Sequence, residues 1–297
     1  MSTWVHAFYM PLFVILSGIL YKKRDMVYYF INLLIPYFSL GLICIIAYDG
    51  VLNTGEVMSH IISLICGGVA PKYTIVVASP LWYVSMIFFL QIFYTILDDF
   101  ISNEYILLFM TCILACVGWY VSQYRERISM IYNIDIALIM MPFFHLSRMY
   151  GKKIIVLFQK NLSVTVFYSI ILFGVSFLFS NSNGAVNVYR MKISGNILFF
   201  YLTAIIGTCY IVSIAVLVVG NKKLKLISNI MSYIGKRTIV LLAIHFPIAL
   251  GYLRIKSKFH LPLFASWGAC IVTLVLSIGI AEVIYRFFPF LLGKMKK

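Results

Sequence analysis

A chain of 297 residues that is 63% hydrophobic and only 11% charged, with a mean hydropathy of +1.00, is not a soluble domain; soluble chains hold about 45–50% apolar and about 25% charged residues. Its net charge of +15 would suit a nucleic-acid partner, but the cations flank apolar runs instead of forming a binding stripe, which argues against one. Apolar runs claim nearly every segment, so residues 1–297 read as one all-α membrane domain, a polytopic transmembrane helical bundle.

About 20 mostly apolar residues cross a bilayer. That length predicts about nine helices, near Val5–Tyr21, Val27–Tyr48, Pro80–Leu97, Tyr105–Val121, Ile134–Tyr150, Leu162–Ser180, Ile197–Gly220, Thr238–Leu253 and Leu263–Phe288. Val57–Ala70 is apolar but short, and Gly67-Gly68 interrupts it, so it reads as an interfacial or re-entrant piece. The alternation of a β-barrel strand is missing. In the first run, Phe8 to Arg24 read FYMPLFVILSGILYKKR. Pro11 kinks or starts the helix. Ser17 and Gly18 let another helix approach, and Lys22, Lys23 and Arg24 anchor the end at a charged interface.

The cations give the orientation. Lys22, Lys23, Arg24, Lys152, Lys153, Lys160, Lys222, Lys223, Lys225, Lys236, Arg237, Arg286, Lys294, Lys296 and Lys297 fall on one side. Lys72, Arg125, Arg127, Arg190, Lys192, Arg254, Lys256 and Lys258 fall on the other, and Arg148 lies within a span. The richer side is expected to be cytoplasmic, which places the C-terminus inside and residue 1 outside. Met1-Ser-Thr-Trp has no basic region of a cleavable signal peptide, so one further helix upstream is expected. Cys44, Cys66, Cys112, Cys116, Cys209 and Cys270 are scattered without metal-ligand spacing and read as packing thiols, with no metal predicted.

The segment Tyr9-Met10-Pro11-Leu12-Phe13 with Leu16-Ser17-Gly18 resembles the Phe-His-Met-Pro-Leu-Phe and Leu-Ser-Gly signature of the acyltransferase 3 family, and the resemblance continues in the family's order. Leu33-Leu34-Ile35-Pro36-Tyr37, Ser79-Pro80-Leu81-Trp82-Tyr83-Val84, Met141-Pro142-Phe143-Phe144 with Gly151-Lys152-Lys153, Gly235-Lys236-Arg237-Thr238 and Ile244-His245-Phe246-Pro247 are each similar to a family element. The subgroup most resembled is the fucose 4-O-acetylase-like one. The resemblance implies a multi-pass inner (plasma) membrane enzyme moving acetyl from acetyl-CoA to a sugar hydroxyl of an envelope or exported polysaccharide, or of its lipid-linked precursor. Its implied partners are membrane lipids, acyl-CoA and the glycan acceptor. Two departures from the resemblance are expected to bear on activity: the family's first helix, with its Arg and His, is expected to be missing from this stretch of chain, and Tyr9 replaces the signature His, with His6 one turn earlier as a stand-in. A lipid-linked sugar transporter or flippase and an inactive remnant are the alternatives.

Acyl transfer needs a base near the acceptor O–H, donors for the oxyanion and cations for CoA phosphates. Candidate catalytic residues are His6, Tyr9 and His245; an interfacial His6 and a hydrogen-bonded structural His245 are the plainer readings. Pro247 frees the Ala243 carbonyl beside His245 for another partner. Lys22, Lys23 and Arg24 are placed for CoA phosphates, or serve only as anchors. Arg148 joins them as a cofactor-binding candidate because a mid-membrane charge costs about 2.5–3.5 kcal/mol on insertion scales; snorkelling is the alternative. Trp82 and Tyr83 are sugar-stacking candidates or members of an aromatic belt. Glu282 is expected to pair with Arg286 four residues on, and Asp135 to start its helix. His145 has no family counterpart, while His60 and His260 lie near loops.

Overall fold

A computed structural model describes residues 2–52, 57–68, 79–124, 131–258 and 265–294. Lys72, Arg125, Arg127, His260, Lys296 and Lys297 lie outside the described residues, as does the end of the Val57–Ala70 segment. The protein is all-α apart from one two-stranded antiparallel ladder, β1 (Val186–Asn187) against β2 (Lys192–Ile193). The helices are α1 (Ser2–Ile19), α2 (Met26–Tyr29), α3 (Ile35–Leu52), α4 (Val57–Ile65), α5 (Trp82–Phe100), α6 (Glu104–Ser122), α7 (Ile134–Lys160), α8 (Leu162–Asn183), α9 (Ile197–Gly220), α10 (Lys225–Gly235), α11 (Thr238–Lys258) and α12 (Ala265–Phe287).

Each predicted span falls on a helix, and the count of nine crossings is not reached on length and composition alone among the described residues. By length and composition, six helices among the described residues can cross a membrane, or up to seven if the bent pair α10–α11 is one span. Helix α1 is short, and α7 carries charges along its length. At 27 residues, α7 is about 40 Å long and runs on to Lys160, past the expected end at Tyr150. Gly151 does not end it, because a neighbouring helix uses the missing side chain: a Cβ there would lie 2.3 Å from Ile19. Large apolar side chains on α8 and α9, such as Phe167, Ile170, Leu178, Leu198 and Val219, are exposed, as lipid-facing helices require.

Two compact units divide the chain. The first comprises Met1–Lys23, Phe93–Ile128 and Ile134–Met231; the second comprises Arg24–Ile92, Ser129–Asn133 and Ser232–Lys297. In the first, α1 packs on α7 and α9, α6 on α7, and α8 on α9. Small residues set these approaches: a Cβ on Gly18 would lie 2.0 Å from Ser147 Oγ and 2.3 Å from the Phe144 carbonyl oxygen, and one on Gly207 would strike Phe8. Ser17, in contrast, turns back to donate to the Phe13 carbonyl of its own helix at 2.8 Å. The α1 helix neither starts nor stops at Pro11, which lies inside it. Across α8 and α9 the Ser169 and Ser213 hydroxyls meet at 2.7 Å, and Trp4 Nε1 donates to Ser176 Oγ at 3.0 Å.

In the second unit, a π-helical turn, Phe30–Leu34, precedes Pro36 and widens the backbone where the proline ring would otherwise crowd the carbonyl four residues back. Gly293, in the left-handed region (φ 67°), packs against that turn, because a Cβ there would lie 2.1 Å from the Ile31 carbonyl oxygen. Helix α4 ends at Gly67 and Gly68, both at positive φ, and Gly67 is pressed against the Tyr132 backbone. The freed Ala243 carbonyl does find a partner: the Cys44 thiol of α3 donates to it at 3.6 Å. Of the six thiols only Cys44 is buried; Cys112, Cys116 and Cys270 are exposed, so packing does not describe them.

Glu282 does not take the expected partner. Its Oε2 accepts from Arg237 Nη2 at 2.6 Å, Arg237 Nε at 3.0 Å and the Tyr233 hydroxyl at 2.6 Å. Arg237 stands in the break between α10 and α11, where the axes bend by 80°, and its guanidinium lies 3.6 Å over the Tyr233 ring. A planar fork pre-positioned on an aromatic ring outcompetes Arg286 for the carboxylate.

Candidate active site

In the first unit, α1, α7 and α9 enclose a cavity of about 280 Å³. Ile15, Ile19, Phe143, Ile154 and Val212 make its walls apolar, and Ser147, Thr208 and Cys209 supply its few polar atoms. Ile15 and Ile19 lie four residues apart on one face of α1, and Lys22 and Lys23 follow within the next turn of chain. Basic side chains thus follow directly on the helix that lines an apolar cavity. A shallow groove of about 370 Å³ on the far end of α7 adds Lys152, Lys153 and Lys160 around Val156 and Leu157. Lys153 sits 5.6 Å over the ring of Tyr150, itself part of the cavity wall.

Beside the cavity is a polar cluster that the sequence reading did not assemble. Arg148 Nη1 donates to the Tyr94 hydroxyl at 2.8 Å and to Asp98 Oδ1 at 2.5 Å, while Nη2 donates to Glu104 Oε1 at 3.2 Å. The guanidinium also lies 5.6 Å over the Tyr21 ring. His145, fully buried, has Nδ1 2.7 Å from the Tyr94 hydroxyl and Nε2 3.0 Å from the Glu104 carbonyl oxygen. A carbonyl only accepts and an arginine only donates, so Arg148 donates to Tyr94 and His145 Nε2 donates to Glu104, with the Tyr94 hydroxyl and His145 Nδ1 in contact between them. Both nitrogens of the imidazole are engaged, with Nε2–H donating to the Glu104 carbonyl.

Neighbouring Lys23 pairs with Asp99. The hydrogen bond to that carboxylate holds the lysine above its ordinary pKa. Two of the four expected phosphate ligands, Lys23 and Arg148, therefore already face acids. Asp98, Asp99 and Glu104 bracket the short α5–α6 connection, and Asp98 and Glu104 meet Arg148 there. Acids at the same depth as an intramembrane arginine are the signal that would have revealed this cluster.

The remaining candidates are spread out. His6, on the exposed face of α1, stands edge-on to half-buried Tyr9, with ring centroids 5.4 Å apart. In the second unit, Arg24 lies 5.3 Å over the Tyr28 ring. Trp82 and Tyr83 are only 5% and 8% exposed, so their faces are enclosed and not displayed at an interface. His245, in the middle of α11, is held by its own helix: Nδ1 lies 2.8 Å from the Leu241 carbonyl oxygen one turn back. His60 is buried on α4, and Asp135 is buried in the first turn of α7.

A family model described as an acyltransferase domain matches residues 4–286. The chain belongs to the acyltransferase 3 family, and it is a multi-pass membrane protein of acyltransferase type. No curated protein and no solved structure matches it.

Proposed function

We propose that the protein is an inner-membrane O-acyltransferase that takes acetyl from acetyl-CoA and delivers it to a sugar hydroxyl of an envelope polysaccharide or its precursor, with its C-terminus in the cytoplasm. Family membership supplies the reaction class. The observation that carries the rest is the apolar cavity walled by Ile15 and Ile19 just before the Lys22-Lys23-Arg24 run. An acyl thioester needs an apolar slot for its uncharged arm and cations for its phosphates, and this stretch of chain offers both.

In this reading Lys22 and Arg24 meet the CoA phosphates, and Lys23 joins them when it leaves Asp99. Arg148 is assigned a different duty from phosphate binding, because Asp98 and Glu104 already neutralise it; it positions the α5–α6 connection. His6, with Tyr9 beside it, takes the proton from the acceptor hydroxyl as that oxygen attacks the thioester carbonyl. The C–S bond then breaks and CoA leaves as the thiol. Trp82 and Tyr83 serve the core of their unit. Membranes containing the protein, given radiolabelled acetyl-CoA, are expected to transfer label into glycan or glycolipid, and the Lys22→Ala/Arg24→Ala variant to transfer far less. Absence of transfer overturns the reading.

A further inference from the structure

Helices α11 and α12 of the second unit form the walls of a separate open pocket of about 510 Å³. Thr238, Leu241, Leu242, His245 and Ala249 line it from one helix, at spacings of three and four that keep them on one face. From the other come Ala269, Cys270, Thr273, Leu274 and Ser277. The walls are mostly apolar, but three polar groups break them. Thr273 and Ser277 are 9% and 1% exposed, and among the described residues neither hydroxyl has a hydrogen-bond partner. Buried hydroxyls one turn apart on one face, both unsatisfied, are costly unless something else completes them. The third group is His245. Because Nδ1 bonds a carbonyl, which can only accept, the proton of the neutral ring sits on Nδ1, and Nε2 keeps its lone pair.

We infer that this cavity binds the acceptor, and that the acceptor is a neutral, hydroxyl-bearing amphiphile, a sugar carried on a lipid tail. Sugar hydroxyls other than the one that is acylated donate to His245 Nε2 and exchange hydrogen bonds with Thr273 and Ser277. Its tail lies along Leu241, Leu242 and Leu274. An anionic ligand is disfavoured, since no cation lines the cavity among the described residues, and a soluble polysaccharide would leave most of its hydroxyls against hydrocarbon. The inference rests on the acyltransferase reading for the word acceptor, but the binding site stands on its own geometry.

The test uses the protein in lipid nanodiscs with n-decyl β-D-glucoside carrying a diazirine in its tail, and a matched decyl diazirine without the sugar. Photolysis followed by peptide mass spectrometry is expected to place glucoside adducts between Leu241 and Ala249 and between Ala269 and Ser277. Thr273→Val/Ser277→Ala is expected to reduce them about tenfold while melting no lower than the parent, since it removes two unmade hydrogen bonds. Equal labelling by the sugar-free probe, or adducts indifferent to the double variant, overturns the site. Acetyl transfer from labelled acetyl-CoA, measured in parallel, separates the two ideas. Transfer without these adducts sinks the site alone, whereas adducts without transfer sink the acyltransferase reading alone.

Discussion

Glu104 and Arg148 are joined twice over: the Glu104 carboxylate accepts from Arg148 Nη2 at 3.2 Å, while its backbone carbonyl oxygen lies 3.0 Å from Nε2 of His145, one turn before that arginine. The first residue of α6 is thereby fixed to the middle of α7. Removing the arginine leaves Asp98 and Glu104 facing each other without their counter-charge. Arg148→Leu is therefore expected to cost about 1–3 kcal/mol, below the fully buried case because the side chain is partly exposed. Adding Asp98→Asn should recover part of the loss. Thermal unfolding in detergent, run as a double-mutant cycle, checks both values.

Gly18→Ala should be among the more damaging small substitutions. The added carbon meets the Phe144 carbonyl oxygen, which is backbone and cannot swing aside, and overpacking of this kind costs about 1–3 kcal/mol. Gly174→Ala is the control: nothing lies within 4 Å of its Cβ position, and helix propensity alone predicts a gain of up to about 1 kcal/mol. The two melting temperatures should move in opposite directions.

Competition between Asp99 and CoA phosphate for Lys23 sets a kinetic expectation. Asp99→Asn should lower the KM for acetyl-CoA, and Lys22→Ala should raise it, each with kcat nearly unchanged. Added salt should blunt both effects, because these groups are exposed.

His6→Ala should lose about 10²–10⁴-fold in kcat if this imidazole is the base, with the KM for acetyl-CoA preserved. Tyr9→Phe should be milder, since its ring contact with His6 remains possible.

The orientation is open to direct measurement. A fluorescent protein fused after Lys297 should fold and fluoresce, and alkaline phosphatase at the same point should stay inactive. The reverse pattern would put the Lys22–Arg24 run on the face without CoA.

The apolar runs made the helices readable, because in a bilayer hydrophobic length and helix length are nearly the same quantity. Gly18 announced its packing role for a similar reason: few causes other than close approach put Ser-Gly in such a run. The end of helix α7 was not legible because Gly151-Lys152-Lys153 looks like a stop, and only the apposed Ile19 explains why the helix continues. The Arg148 cluster was hidden for another reason. Its members come from three helices, and a pairing between residues some 50 positions apart leaves no periodicity in the chain. Glu282 failed in the opposite way: a four-residue spacing to Arg286 suggested an answer, but a guanidinium 45 positions away had better geometry.

The thiol of Cys44 against the carbonyl that Pro247 leaves vacant has a hereditary consequence. Restore an ordinary residue at 247 and the helix regains its own donor, so position 44 is released to become any small side chain. Lose the sulfhydryl first, and the ring becomes a burden. Descendants of this sequence should therefore change the two positions in a fixed order, proline before cysteine.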